Sequence, residues 1–298
     1  MKKLIYILLA MPLILVACNK EIPGTNEETV QVSFCAEFPQ LMGTRASSTL
    51  SVDKVYCAVF ENGVEITNLR QEIDVVEGQP IVFSPRLIRG RIFDIVFWAS
   101  KAGAYDVTNM TAIVRAVGST ATEQDFDAFT AHTQVLVNNN QSTPIVLTRP
   151  LAQLNMGVTY EDWNAVTGTF GVTPRNISLS LTGKDTFNAL TGWATGEDKP
   201  ISYDLSVSGS EFTVDGKTYK NIAMCYVLTD AYKENFDIKF SINDQNSDAI
   251  RSDAEIYAIP LQANYKTNVV GGLLTGVVKY TISMETGYND TENNKEID

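Results

Sequence analysis

Val30-Gln31-Val32-Ser33-Phe34-Cys35-Ala36-Glu37-Phe38 alternates apolar side chains with small or polar ones without a break. A strand points successive side chains to opposite faces, so one face here carries Val, Val, Phe, Ala and Phe. The other face carries Gln, Ser, Cys and Glu, which is the pattern of a half-buried β-strand. The same reading extends to residues 55–60, 81–83, 92–98 and 134–137, with turn signals at Asn62-Gly63, Glu77-Gly78 and Arg89-Gly90 between them. From Thr143 a second strand-rich block follows at residues 144–147, 151–158, 177–181, 202–207, 236–242, 255–261 and 277–284. Between Phe212 and Tyr219, Asp215-Gly216 suits the positive φ angles of a type I′ hairpin turn. Long amphipathic helices are missing; residues 125–131 and 161–166 are each predicted to form a short helix of about two turns. Strands at roughly 8–12-residue spacing with so little helix predict an all-β chain of β-sandwiches. The strands are too many for one sandwich, so two in tandem are expected, meeting near Arg149-Pro150.

The flanks read differently. Lys2 and Lys3 precede a fourteen-residue apolar run that starts at Leu4 and ends at Ala17, too short and wrongly flanked for a stable membrane span. Residues 1–17 are therefore read as an export signal. Leu15-Val16-Ala17-Cys18 resembles the lipobox of bacterial lipoproteins, which implies cleavage before Cys18 and acylation there as a membrane anchor. Residues 18–29 are polar, with Pro, Gly and Glu, and read as a tether. The expected order is then a sandwich over 30–148 and a second over 149–298 that ends in a frayed acidic tail.

Composition narrows the function classes. The 298 residues are 44% hydrophobic and 19% charged, apolar enough to bury a sizeable core. Thirty-five acidic residues against 23 basic leave a net charge of −12, which repels a nucleic-acid backbone. His132 is the sole histidine, so an H-E-x-x-H zinc site is impossible, and no G-x-S-x-G elbow presents a serine to it. No phosphate-binding loop or dinucleotide fingerprint is present, and no cofactor is expected. Beyond Cys18, the cysteines Cys35, Cys57 and Cys225 are read as small apolar core residues, with a Cys35–Cys57 bridge left open. Asp244, Asn246, Asp248 and Glu255 match the oxygen-ligand spacing of a calcium loop at positions 1, 3, 5 and 12. Ala249 stands where that loop has glycine and the flanks read as strands rather than helices, so a solvated turn between strands is the better reading.

Three stretches carry a family resemblance. Val32-Ser-Phe-Cys-Ala-Glu-Phe-Pro-Gln with Gly43-Thr44-Arg45-Ala46, then Val146-Leu-Thr-Arg-Pro-Leu-Ala-Gln-Leu-Asn-Met-Gly, then Pro260-Leu-Gln-Ala-Asn-Tyr-Lys-Thr-Asn-Val-Val-Gly-Gly-Leu-Leu-Thr-Gly resemble Bacteroidales fimbrillin-like lipoproteins, the type V pilin family. The resemblance implies two transthyretin-like β-sandwiches and no enzymatic role. It also implies a lipidated precursor at the outer membrane, trimmed by an arginine-specific protease between Arg45 and Ala46. The trimmed chain would assemble into a fimbrium with other subunits by strand exchange. Loss of the first strand would expose strand edges that template another chain. Val278, Tyr280, Ile282 and Met284 alternate with polar residues and form the candidate donor, or else simply the last strand of the second sandwich. The competing expectation is a glycan-binding surface lipoprotein, with Trp98, Trp163 and Trp193 as possible sugar-stacking rings and Trp193 the most exposed by context.

Overall fold

Period-two alternation, bounded by turn residues, is realised as strands throughout a computed structural model that describes residues 28–39, 51–169, 171–230 and 232–285. In the first half the strands are β1 (Thr29–Glu37), β2 (Lys54–Glu61), β3 (Val64–Glu65), β4 (Gln71–Asp74), β5 (Ile81–Phe83) and β6 (Arg86–Ile88). They are followed by β7 (Ile92–Ser100), β8 (Tyr105–Asp106), β9 (Val114–Arg115), β10 (Ala128–Leu136) and β11 (Gln141–Val146). The second half has β12 (Leu151–Val158), helix α1 (Tyr160–Asn164), β13 (Pro174–Gly183), β14 (Thr186–Asn188), β15 (Trp193–Thr195) and β16 (Lys199–Ser206). It ends with β17 (Glu211–Val214), β18 (Lys217–Leu228), β19 (Glu234–Asp244), β20 (Ala249–Leu261), β21 (Lys266–Gly272) and β22 (Lys279–Glu285).

Four sheets result. One runs β11-β1-β5, with β6 continuing beside β1; it faces a second ordered β10-β7-β2-β3, with β4 also on β2. A third runs β17-β18-β12-β21-β22 and faces a fourth, β16-β13-β19-β20. The chain is all-β and built of sandwiches, as expected. The first pair of sheets encloses Val32, Phe34, Phe83, Phe97 and Phe129. The second encloses Leu154, Met156, Leu179, Phe240, Ile256 and Val269. A third core crosses between the halves: Phe60, Val96 and Trp98 from the outer side of β2 and β7 meet Leu151, Phe187 and Tyr226. This explains why β7 reads as a continuous apolar run, since it is covered on both faces. Polar groups clasp the same junction. Arg115 donates to the Tyr226 carbonyl at 2.9 Å and pairs with Glu123 at 2.7 Å. Among the described residues no helix is long and apolar enough to cross a membrane.

The Asp215-Gly216 hairpin forms between β17 and β18, with φ of 49° and 72° at the two turn residues. The helix expected over 161–166 is present as α1, capped by Thr159, whose hydroxyl accepts from the Asp162 amide at 3.2 Å, and it continues as a wider turn over Ala165–Thr169. The helix expected over 125–131 is not. Only one tight turn, Glu123–Phe126, precedes β10. The Asp125 carboxylate folds back on the Thr122 amide and hydroxyl, closing the turn, and from Ala128 the chain pairs with β7 from Ser100 onward. The edge of β7 thus overrides a weak local helix preference.

Candidate functional site

The strand quoted at the outset occupies the middle of its sheet. β1 runs parallel to β11, with Val32 opposite Gln141 and Glu37 opposite Val146. On its other side it is antiparallel to β5, with Phe34 opposite Phe83, and its first residues pair with β6, Val30 opposite Leu87. Val32 and Phe34 are wholly buried, and Val30 and Ala36 nearly so. Phe34 sits in a ring cluster, 6.2 Å from both Phe83 and Phe97 between centroids, and Phe38 meets Phe129 edge-on at 5.2 Å. On the outward face Ser33 and Ser84 share a hydrogen bond of 2.9 Å, and Cys35 is half-buried. The ends are tied as well: the Leu147 amide donates to the Glu37 carbonyl, and the Arg89 amide to the Glu28 carbonyl.

Without β1, the edges of β11 and β5 would lose their partners, and an apolar trough floored by Phe83, Leu87, Phe97 and Ile145 would open. Full burial of a Val or Phe side chain is worth ~1.5–3 kcal/mol, so three such chains make β1 a major contributor to the first core. Arg45 and Ala46, and likewise Cys18, lie outside the described residues.

The candidate donor falls on and just before β22, which among the described residues is the edge of its sheet and pairs only with β21: Tyr280 opposite Gly271, Ile282 opposite Val269, Met284 opposite Thr267. Val278 and Ile282 pack on the second core, Met284 is half-buried, and Tyr280 is exposed. Gly271 admits this pairing, since a Cβ there would stand 2.0 Å from the Lys279 carbonyl oxygen.

The calcium quartet is not assembled. Asp244 ends β19, and its Oδ1 accepts from the backbone amides of Asn246 and Asp248 at 2.7 and 2.9 Å, which is an Asx turn. Glu255 lies opposite Lys239, five residues back along β19 from Asp244, about 17 Å away by strand rise. No group of three or more His, Cys, Asp or Glu among the described residues is placed to hold a metal ion. Cys35, Cys57 and Cys225 are free thiols. Cys35 and Cys57 belong to different sheets, so the bridge left open from the sequence does not form. Burial pushes the Cys57 and Cys225 thiols up, away from the reactive thiolate. His132 lies on β10 with Nε2 2.9 Å from Asp94 Oδ1.

The tryptophans separate as their contexts imply. Trp98 is wholly buried, Trp163 packs on the second core, and Trp193 is 39% exposed. Sequence reading missed the partner of Trp193. Tyr232 lies 39 positions later in the β18–β19 loop, and its ring is 13° from parallel to the indole at 6.1 Å. No local pattern pairs them. Close by, burial and the neighbouring Asp230 carboxylate raise the Glu234 carboxyl above its ordinary range.

The family of unknown function DUF6562 matches residues 23–298. No curated protein matches the chain. Among solved structures, the tip fimbrial protein Mfa3 from Porphyromonas gingivalis, with C-terminal truncation, is similar over 87% of this chain and 100% of its own, at 9% identity and a TM-score of 0.49. A candidate polysaccharide-binding protein from Bacteroides thetaiotaomicron is similar over 89% and 100%, at 14% identity and 0.48. A candidate adhesin from Bacteroides ovatus is similar over 91% and 96%, at 13% identity and 0.47.

Proposed function

The chain belongs to DUF6562, a family of unknown function, and we propose that it is a non-enzymatic structural subunit of a surface fimbrium whose first strand is removed and replaced by a strand of a neighbouring copy. One observation carries the reading. β1 fills the middle of its sheet with buried apolar side chains, and it joins β2 only through the segment that contains Arg45. Cleavage between Arg45 and Ala46 by an arginine-specific protease leaves β1 attached by non-covalent contacts alone. An incoming strand with the same alternation restores both rows of main-chain bonds and refills the trough. β22 supports the donor role, because among the described residues it is bonded on one side only and can leave without breaking a second ladder. In this reading the precursor is held at the outer membrane by acyl chains on Cys18, and its partners are other fimbrial subunits.

The test is limited digestion of the full precursor with a trypsin-like protease, followed by electrophoresis in mild detergent. The wild type should give ladders and a new N-terminus at Ala46 by mass spectrometry, while Arg45→Ala should stay monomeric. Monomers from both would end the proposal.

A further inference from the structure

Two aromatic rings left in water next to a polar cavity call for an explanation that packing does not supply. Trp193 opens β15 and is 39% exposed; Tyr232, in the loop between β18 and β19, is 76% exposed. Their rings lie nearly parallel, 13° apart, and together offer an apolar surface to solvent. Phe187 and Ala194 on the same hairpin are buried, so the hairpin that carries Trp193 is anchored while the indole stays partly in solvent. The chain neighbours of these rings, Ala194 beside Trp193 and Asp230 and Glu234 on either side of Tyr232, help line a cavity of about 230 Å³ together with Lys184, Asp198 and Thr229.

One polar atom at this cavity lacks a partner: Thr229 is only 2% exposed and its hydroxyl makes no hydrogen bond. Beside it Asp230 is held by Glu234 and lies 3.6 Å from the Lys184 ammonium through Oδ2. Buried polar atoms are nearly always satisfied, so an orphan hydroxyl at this opening points to a group supplied from outside.

We propose that Trp193, Tyr232 and the adjoining cavity form a binding site for a neutral sugar ring of a glycan. The apolar face of a pyranose covers the aromatic pair, and its hydroxyls donate to Asp230, Glu234 and Asp198 and accept from Thr229 and Lys184. A hydroxyl does both, which suits a wall that mixes donors with acceptors. Three carboxyl groups against one ammonium disfavour an anionic sugar. Near-parallel rings offer a platform rather than the enclosing walls of a cation cage. The site lies in the second half of the chain and does not depend on strand exchange in the first.

Calorimetry on the full chain tests it, with cellohexaose, maltohexaose and chitohexaose as neutral probes, an oligogalacturonate as the anionic probe and hexalysine as the cationic one. At least one neutral probe should bind. Trp193→Ala and Tyr232→Ala should each weaken it about tenfold without lowering the melting temperature, since both rings are exposed. Thr229→Val, which keeps the side-chain shape, should weaken binding as well. Failure of every neutral probe at millimolar concentration overturns the proposal. So does tighter binding of the anionic or cationic probe, or neutral binding unchanged in both aromatic variants.

Discussion

Replacing Phe34 by alanine addresses the packing of the first strand directly. The ring is wholly buried, stacked at 28° against Phe83 and edge-on at 64° to Phe97, and those two rings meet each other at 6.1 Å. Truncating a buried Phe costs about 3–5 kcal/mol, because the lost transfer energy adds to that of a cavity walled by rings that cannot all collapse inward. Cys35, the next residue, points to the other face and is half-buried, so Cys35→Ala should cost less than about 1 kcal/mol. Equilibrium unfolding in guanidinium, followed by fluorescence and circular dichroism together, measures both. Phe34→Leu serves where the alanine variant is too unstable to refold, with an expected loss of about 1 kcal/mol. The same contrast should appear in trans. A labelled peptide of residues 28–39 should rebind a chain trimmed of β1, and its Phe34→Ala form should bind about two to three and a half orders of magnitude more weakly. Equal costs for Phe34→Ala and Cys35→Ala, or equal binding of the two peptides, would show that β1 does not fill the trough by its alternating face.

Two other outcomes follow from the second half. Gly271→Ala places a Cβ 2.0 Å from the Lys279 carbonyl oxygen, a backbone atom that cannot swing aside; it should destabilise the chain by about 1–3 kcal/mol and raise amide exchange selectively along β22, and protection equal to wild type would contradict the tight β21–β22 approach. For Glu234 the folded-state pKa lies above the ordinary 4.5, first through burial and then through Asp230, so the folded chain holds that proton more tightly than the unfolded one. Its contribution to stability is therefore fullest below the ordinary value and is lost as pH rises through the raised one. Glu234→Gln should raise the melting temperature near pH 7 and have little effect near pH 4; a Gln variant less stable than wild type near pH 7 would contradict this.

Much of the architecture was legible because strands announce themselves by a period of two. β1, the Asp215-Gly216 hairpin and the doubly covered β7 all follow from side-chain order and turn chemistry. What was not legible depends on partners distant in sequence. Residues 128–131 lack a strong local preference, and the exposed edge of β7 decided their state. The parallel pairing of Val32 with Gln141 spans more than a hundred residues and leaves no local trace. The calcium spacing failed for a physical reason: Asp244 spends an oxygen on its own turn, and a regular strand carries Glu255 away from it. Of the exposed aromatic pair, Trp193 was visible beside Gly192, whereas Tyr232 required the fold.

The apolar contact shared by the two halves has a mechanical meaning. To swing one half against the other, Trp98 would have to part from Phe187, and Arg115 from the Tyr226 carbonyl, exposing apolar surface and breaking a hydrogen bond at once. A joint filled in this way holds the two halves to one orientation more firmly than a bare linker would.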